Sequence, residues 1–244
     1  MSMDIRRPRL DFALPGTWWS APLDADAEAR MAAIAEFVRE LYGRRDDLAR
    51  TRAEHRARLS RAIDEAARGG AVQMHVSEAN EGGIAFASTL TEYALPAVFG
   101  ASAEPSVLAD RVVGALANVA GDHWSAFAAD GGTAFAKGDS IVLRRVTRRG
   151  PDGTDTPDAP DTPAGDDAAD AHGAAPERGA EAAESLTADY WLTVPGRAEV
   201  ALVSLSSVLG PLEPLMLELF DRIIAAAEWR AAPSLRDELA GRAG

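Results

Sequence analysis

The chain has 244 residues, 47% of them hydrophobic, which suits one domain with a real core, or one domain carrying an insertion. It contains no cysteine, which excludes disulfides, thiolate metal sites and thiol catalysis. The net charge of −13 is uneven: residues 151–185 hold ten acids and one base, leaving 28 acids against 24 bases elsewhere, and neither part has the basic footprint of a nucleic-acid binder.

The N-terminal MSMDIRRPRLDF carries bases without a following apolar run, so it does not read as a secretory signal. No stretch of about 18 apolar residues occurs, and the expectation is a cytoplasmic protein without a membrane span. Residues 9–14 alternate polar and apolar and predict a short strand; Pro15-Gly16 predicts a turn. Trp18 and Trp19 follow side by side. On a strand neighbours point to opposite faces, so the pair is read either as a fastener between sheet and first helix or as a partner surface.

Acids at Asp24, Asp26 and Glu28 mark a helix start, and Met31, Ile34, Phe37, Val38 and Leu41 recur at helical spacing up to Gly43. A second helix is predicted over about 45–68, with Leu48, Leu59, Ile63 and Ala66 as its apolar positions. The two form a helical hairpin or one kinked helix. The period then shortens. Residues 71–78, a turn at Asn80-Glu81-Gly82-Gly83 and residues 83–93 predict a β-hairpin. Residues 104–121 predict a helix with Val107, Leu108, Val112, Leu116 and Val119 inward; 123–136 predict one or two short strands, and 139–149 a stronger one.

Residues 150–187 are rich in Pro, Gly, Ala, Asp and Thr and lack large apolar side chains before Leu186, so they are expected to be a disordered acidic insertion. Residues 1–149 and 188–244 then make one domain. Residues 187–194, Pro195-Gly196 and 198–207 predict a hairpin, which puts the insertion between neighbouring strands. A helix over 211–229 follows, with Leu212, Leu215, Leu219, Ile223 and Ala226 on one stripe and Met216, Phe220 and Ala227 beside it. Residues 234–242 predict a small exposed helix. The expected fold class is α+β: a mostly antiparallel sheet of about six or seven strands packed with about four helices.

No phosphate loop, dinucleotide fingerprint, nucleophile elbow, HExxH or EF-hand loop occurs. His55 lies in a charged helix and reads as solvated; His172 lies in the insertion. His75 reads as a half-exposed strand residue, or as a base paired with Glu78 or His123. Asp122 or His123 reads as a turn cap. A serine nucleophile is compatible with the sequence, since triads assemble across a fold, but spacing singles none out. Asp46 and Asp47 point differently on a helix, so neither a specific metal nor a cofactor is expected. The aromatic pairs Trp18-Trp19 and Tyr190-Trp191 are the candidate interface, because exposed Trp and Tyr commonly anchor partners.

Three stretches carry a resemblance: LDFALPGTWWSAPL, ADYWLTVPGRAEVALVSLSS and PLEPLMLELFDRIIAAAEWR. Together they resemble uncharacterised actinobacterial α+β proteins of PsbP-like or LpqN-type layout, over about half the chain and mainly at its ends. The resemblance implies a last strand leading into a helix that packs on an antiparallel sheet. It carries over no catalytic residue. LpqN-type proteins are exported lipoproteins, and the lipobox cysteine is missing here. An association of such proteins with secretion or toxin genes implies an accessory or immunity role. The expected function is thus a non-enzymatic protein-binding accessory protein, or a self-associating one. The alternative is a small-molecule-binding domain or enzyme with a pocket between sheet and helices, near Trp18, His123 and Trp191.

Overall fold

Val194-Pro195-Gly196-Arg197 makes the turn between the two central strands of the sheet. Pro195 presets one turn position, Gly196 supplies the positive φ of +67° that the next requires, and the Arg197 N–H donates back to the Val194 carbonyl at 3.1 Å. This turn joins β8 (Ser185–Thr193) to β9 (Val200–Ser207) in the expected hairpin, with Thr193 opposite Val200 and Leu186 opposite Ser207. The structure is a computed structural model and describes residues 8–77, 88–95, 99–119, 121–150, 155–156, 184–209 and 212–230.

The remaining elements assemble around that hairpin. They are β1 (Arg9–Asp11), β2 (Trp18–Ser20), α1 (Ala27–Tyr42), α2 (Ala49–Arg68), β3 (Ala71–Ser77), β4 (Ser88–Leu95), α3 (Pro105–Ala117), α4 (His123–Ala129), β5 (Thr133–Lys137), β6 (Ser140–Arg149), β7 (Asp155–Thr156), α5 (Glu213–Ala226) and β10 (Glu228–Arg230). The main sheet runs β2-β3-β4-β9-β8-β6-β5, every neighbouring pair antiparallel, and β7 adds two residues against the end of β6. A separate ribbon pairs β1 with β10. The fold is α+β, as the alternation of helical and strand periods indicates.

Strand alternation gives the sheet two faces with different covers. On one face Leu90, Ala188, Tyr190, Leu192, Val203 and Leu205 meet Met216, Phe220, Ile223 and Ile224 of α5, with the β1–β10 ribbon beside them. On the other face two helical units sit apart. The α1–α2 hairpin buries Ile34, Phe37, Val38, Leu59 and Ile63 against Met74 and Val76. Helices α3 and α4 bury Val112, Val113 and Phe127 against Leu143 and Trp191. Full burial of each such large side chain contributes about 1.5–3 kcal/mol. The hairpin is antiparallel, since Arg30 near the start of α1 pairs with Asp64 near the end of α2 at 2.8 Å. Gly43, at φ +67°, ends α1 by donating to the Arg39 carbonyl.

Four expectations need correcting. Residues 123–129 form a helix rather than a strand, because the Asp122 carboxylate accepts from the Ser125 N–H at 3.1 Å and caps its start. The closing helix stops at Ala226; Ala227 is extended, and Trp229 lies in β10, donating from Nε1 to Ser140 Oγ at 2.9 Å. The buried face of α5 is centred on Met216, Phe220, Ile223 and Ile224, which turns Leu212 and Leu215 outward. Likewise Met31 and Leu41 of α1 and Val107 and Val119 around α3 stand exposed at the ends of their stripes. The sheet also claims Ser185–Thr187 from the expected insertion. The turn at 80–83, most of the insertion and residues 234–242 lie outside the described residues.

Arg149 faces Ser185 across the β6–β8 ladder, so the chain between them closes one antiparallel pair. Closure entropy changes by only about 0.6 kcal/mol per doubling of loop length. Replacing 151–183 by a short Gly-containing turn is therefore expected to leave Tm unchanged or higher, read by thermal unfolding. A clear fall in Tm would mean that the replaced segment contributes more to the fold than the two-residue pairing of β7 with β6.

Candidate functional site

The adjacent tryptophans are divided by the sheet. In β2, Trp18 pairs with Ser77 and Trp19 with Val76, so their side chains take opposite faces. Trp18 packs into the α5-side core and donates from Nε1 to the Pro15 carbonyl at 2.9 Å. Trp19 packs under the α1–α2 hairpin and stacks on Phe37, with ring centroids 4.6 Å apart and planes inclined by 13°. Tyr190 and Trp191 divide in the same way. Tyr190 is fully buried against α5, and Trp191 is buried under α3 and α4. All four aromatics serve as fasteners between layers. Trp18 and Trp191 lie on opposite faces of the sheet, so no single pocket gathers them with His123.

The histidines are dispersed too. His123 Nε2 lies 2.8 Å from Asp110, which joins α4 to α3 on the outside of the molecule. His75 is on β3, on the α5 side of the sheet, and so cannot pair with His123; Glu78 lies outside the described residues. His55 departs most from expectation. It is half-buried rather than solvated, with Nδ1 3.0 Å from the Tyr42 hydroxyl and its ring edge-on to Phe37 and Tyr42. Burial first, and then the Arg58 guanidinium, lower its pKa below the ordinary imidazole value, so it is neutral at neutral pH. Asp47, raised above as a ligand candidate, pairs with Arg45 at 2.7 Å.

His55 lines a cleft of about 580 Å³ between the α1–α2 hairpin and the sheet. One wall is apolar and aromatic: Phe37, Tyr42 and Leu59, continued on the sheet by Met74 and Val76. The floor is polar. Thr89, Ser206 and Thr187 lie in one cross-strand row over β4, β9 and β8, and the Thr89 and Ser206 hydroxyls are 2.7 Å apart. A second row, Thr91, Ser204, Asp189 and Arg145, runs beside it. Burial holds the Asp189 carboxyl above its usual range, against the pull of its Ser204 hydrogen bond and the Arg145 charge. At the open end the cleft reaches Arg58, Glu54 and Arg149.

A floor of half-buried hydroxyls beside an aromatic wall can orient an organic molecule, with hydroxyls fixing polar groups and the wall covering an apolar body. Sequence reasoning missed Thr89, Thr187 and Ser206. Their signal is a polar residue at every second position of three strands, which reads as an ordinary solvent face until a helical hairpin is known to stand over it. Among the described residues no three His, Asp or Glu side chains gather as a metal set, and no helix is long and apolar enough to cross a membrane. No family model matches the chain, and neither does any curated protein or solved structure.

Proposed function

We propose that the chain is a small-molecule-binding protein whose ligand occupies the cleft between the α1–α2 hairpin and the sheet. The observation that supports this is the combination of size and lining: about 580 Å³, within the range of ligand pockets, with the Thr89–Ser206–Thr187 floor facing Phe37 and Tyr42. The ligand class follows from the lining. Hydroxyl donors and the Arg58 guanidinium suit a carboxylate or phosphate head, and the aromatic wall suits an apolar or planar body. His55 adds a neutral ring nitrogen rather than a charge.

A thermal-shift screen of organic carboxylates and phosphates with apolar bodies tests the reading. A hundredfold excess over Kd stabilises by about 2.7 kcal/mol. At about 2–4 °C per kcal/mol for a chain of this size, that shift is easily read. Ser206→Leu, which fills the floor, is expected to abolish the shift. A shift that survives this substitution would move the ligand elsewhere, and a silent screen would count against the cleft.

A protein-binding accessory role is the second reading, favoured by one observation. Leu212 and Leu215, three residues apart at the start of α5, are about half exposed, with Val208 similarly exposed nearby in sequence. The accessory or immunity role implied by the PsbP-like and LpqN-type resemblance would then act through these residues instead of the aromatic pairs. Leu215→Glu would remove a partner held there and leave a cleft ligand bound.

A further inference from the structure

A second constellation lies on the opposite face of the sheet, at its edge. Ser20 on β2 and His75 on β3 are cross-strand partners, and Ser20 Oγ lies 3.0 Å from His75 Nδ1. His75 Nε2 lies 3.1 Å from Gln73 Oε1, two residues along the same strand. Gln73 Nε2 in turn donates to the Leu10 carbonyl at 2.8 Å and to the carboxylate of Glu92, a buried residue on β4, at 2.5 Å.

These contacts fix the protons. The Gln73 amide nitrogen faces the Leu10 carbonyl, which can only accept, as well as the Glu92 side chain. Turning the amide over would set Oε1 against the Leu10 carbonyl, so Oε1 must face His75. His75 therefore donates from Nε2, and its Nδ1 lone pair is left to accept from the Ser20 hydroxyl. Burial lowers the His75 pKa below the ordinary imidazole value, which keeps that lone pair available at neutral pH. Glu92 holds Gln73, Gln73 holds the tautomer of His75, and His75 faces a hydroxyl that is itself exposed.

The ladder geometry opens the serine to a substrate. The Ala21 N–H donates to the Met74 carbonyl at 2.9 Å, which makes Ser20–His75 a pair without mutual backbone hydrogen bonds. Side chains approach most closely in such pairs, and the Ser20 N–H is turned toward the open side of β2, the edge strand of the sheet. Beside it lies a cavity of about 330 Å³ whose lining combines the polar Ser20, Asp24, Gln73 and His75 with the apolar Pro22, Leu23 and Val72.

We propose that Ser20 is a nucleophile activated by His75, forming an acyl-transfer site for esters or thioesters of short acyl groups. The Ser20 hydroxyl attacks the acyl carbon and its proton passes to His75 Nδ1. The bond from the acyl carbon to the leaving alcohol or thiol breaks, and the leaving group takes that proton. Water then attacks the acyl-serine, with His75 again accepting the proton, and the carboxylic acid is released as the serine recovers its hydrogen. The Ser20 N–H, on the open edge, is placed to donate to the oxyanion formed at each addition. The apolar lining of the cavity holds the acyl chain. Gln73 and Glu92 are positioning residues.

A fluorophosphonate probe tests this on the full chain, with the modified residue mapped by peptide mass spectrometry. The expected adduct is on Ser20 and absent from Ser20→Ala. His75→Ala is expected to slow labelling by about 100-fold or more, the range in which a positioned base acts. The labelling rate is expected to fall with acidification, with a midpoint below the ordinary imidazole value of 6.5. Gln73→Leu, which frees the tautomer, is expected to slow labelling and displace that midpoint, a change that a purely structural glutamine would not produce. Circular dichroism verifies that each variant is folded. No Ser20 adduct on the folded wild-type protein, or equal labelling in a folded His75→Ala protein, would overturn the proposal and leave the network as a ladder that satisfies the buried Glu92. The residues differ from those of the hairpin cleft, so failure here leaves the ligand-binding reading standing, and the reverse.

Discussion

Phe37→Ala is expected to destabilise the protein by about 3–5 kcal/mol, the usual cost of emptying a buried aromatic site. Phe37 is nearly inaccessible, and with Ile34 and Val38 it packs α1 into the cluster that includes Met74 and Val76 of the sheet. Trp19 stacks on one side of it and the edge of His55 meets another. Removing the ring opens a void between hairpin and sheet and takes away part of the cleft wall. Trp19→Ala is expected to cost less, because Trp19 is only half-buried on the edge strand. The two losses should not add. A stacked pair carries about 0.5–1.5 kcal/mol beyond its buried area, and the double variant should recover that amount relative to the sum. Urea unfolding of the two single variants and the double variant measures it. A coupling near zero would mean that Trp19 holds β2 without holding the hairpin.

That stack also shows how far the sequence reaches. The periods of Ile34, Phe37 and Val38, and of Met74 and Val76, are legible as one helix face and one strand face, and they meet as expected. Pro195-Gly196 is legible because only a glycine takes the φ that its turn needs without strain. The ends of elements are less legible. Leu212 and Leu215 fit an apolar stripe as well as Met216 and Phe220 do, and only the position of the sheet decides which set is buried. Residues 123–129 are too short for a helical period to stand out, and the decisive feature is the Asp122 cap, a contact of one side chain with one N–H.

The candidate sites were the least legible, for a physical reason. Both are made of cross-strand neighbours. Ser20 and His75 are 55 residues apart in sequence, and Thr89 and Ser206 are 117 apart. Register brings each pair within hydrogen-bonding reach, and register is a property of the whole sheet. Within any one strand, Ser20, His75, Thr89 and Ser206 are ordinary polar residues alternating with apolar ones. The aromatic pairs were more conspicuous, and the sheet, covered on both faces, packs the two members of each pair into different cores.

Raising the pH beyond 10 is expected to destabilise the fold through Tyr190. An unfolded tyrosine ionises near pH 10. In the folded protein the Tyr190 phenol is buried, and it donates to Asp221 Oδ1 at 2.8 Å, while Arg144 holds the other Asp221 oxygen. Burial first, then the Asp221 charge and the hydrogen bond to it, push the phenol far above its ordinary value, with Arg144 pulling weakly the other way. The folded state therefore keeps a proton that the unfolded state gives up. This contribution is fully present below pH 10 and is lost as the pH climbs from there toward the folded value, at about 1.4 kcal/mol per pH unit. Tyr93, raised by burial and by Asp189 and Glu65, acts in the same direction, but it is half-buried and its share is smaller. Tyr190→Phe keeps the ring and removes both the proton and the bond to Asp221. It is expected to cost about 1.5–3 kcal/mol at neutral pH, the range for a hydrogen bond to a charged group, and to flatten the alkaline limb by one proton. The two stability curves should then converge about one to two units above pH 10. Urea unfolding from pH 8 upward measures both slopes. Equal slopes would mean that the folded phenol ionises as freely as the unfolded one. That would place Tyr190 in contact with water and open the α5 face of the sheet, the one face whose core depends on that ring.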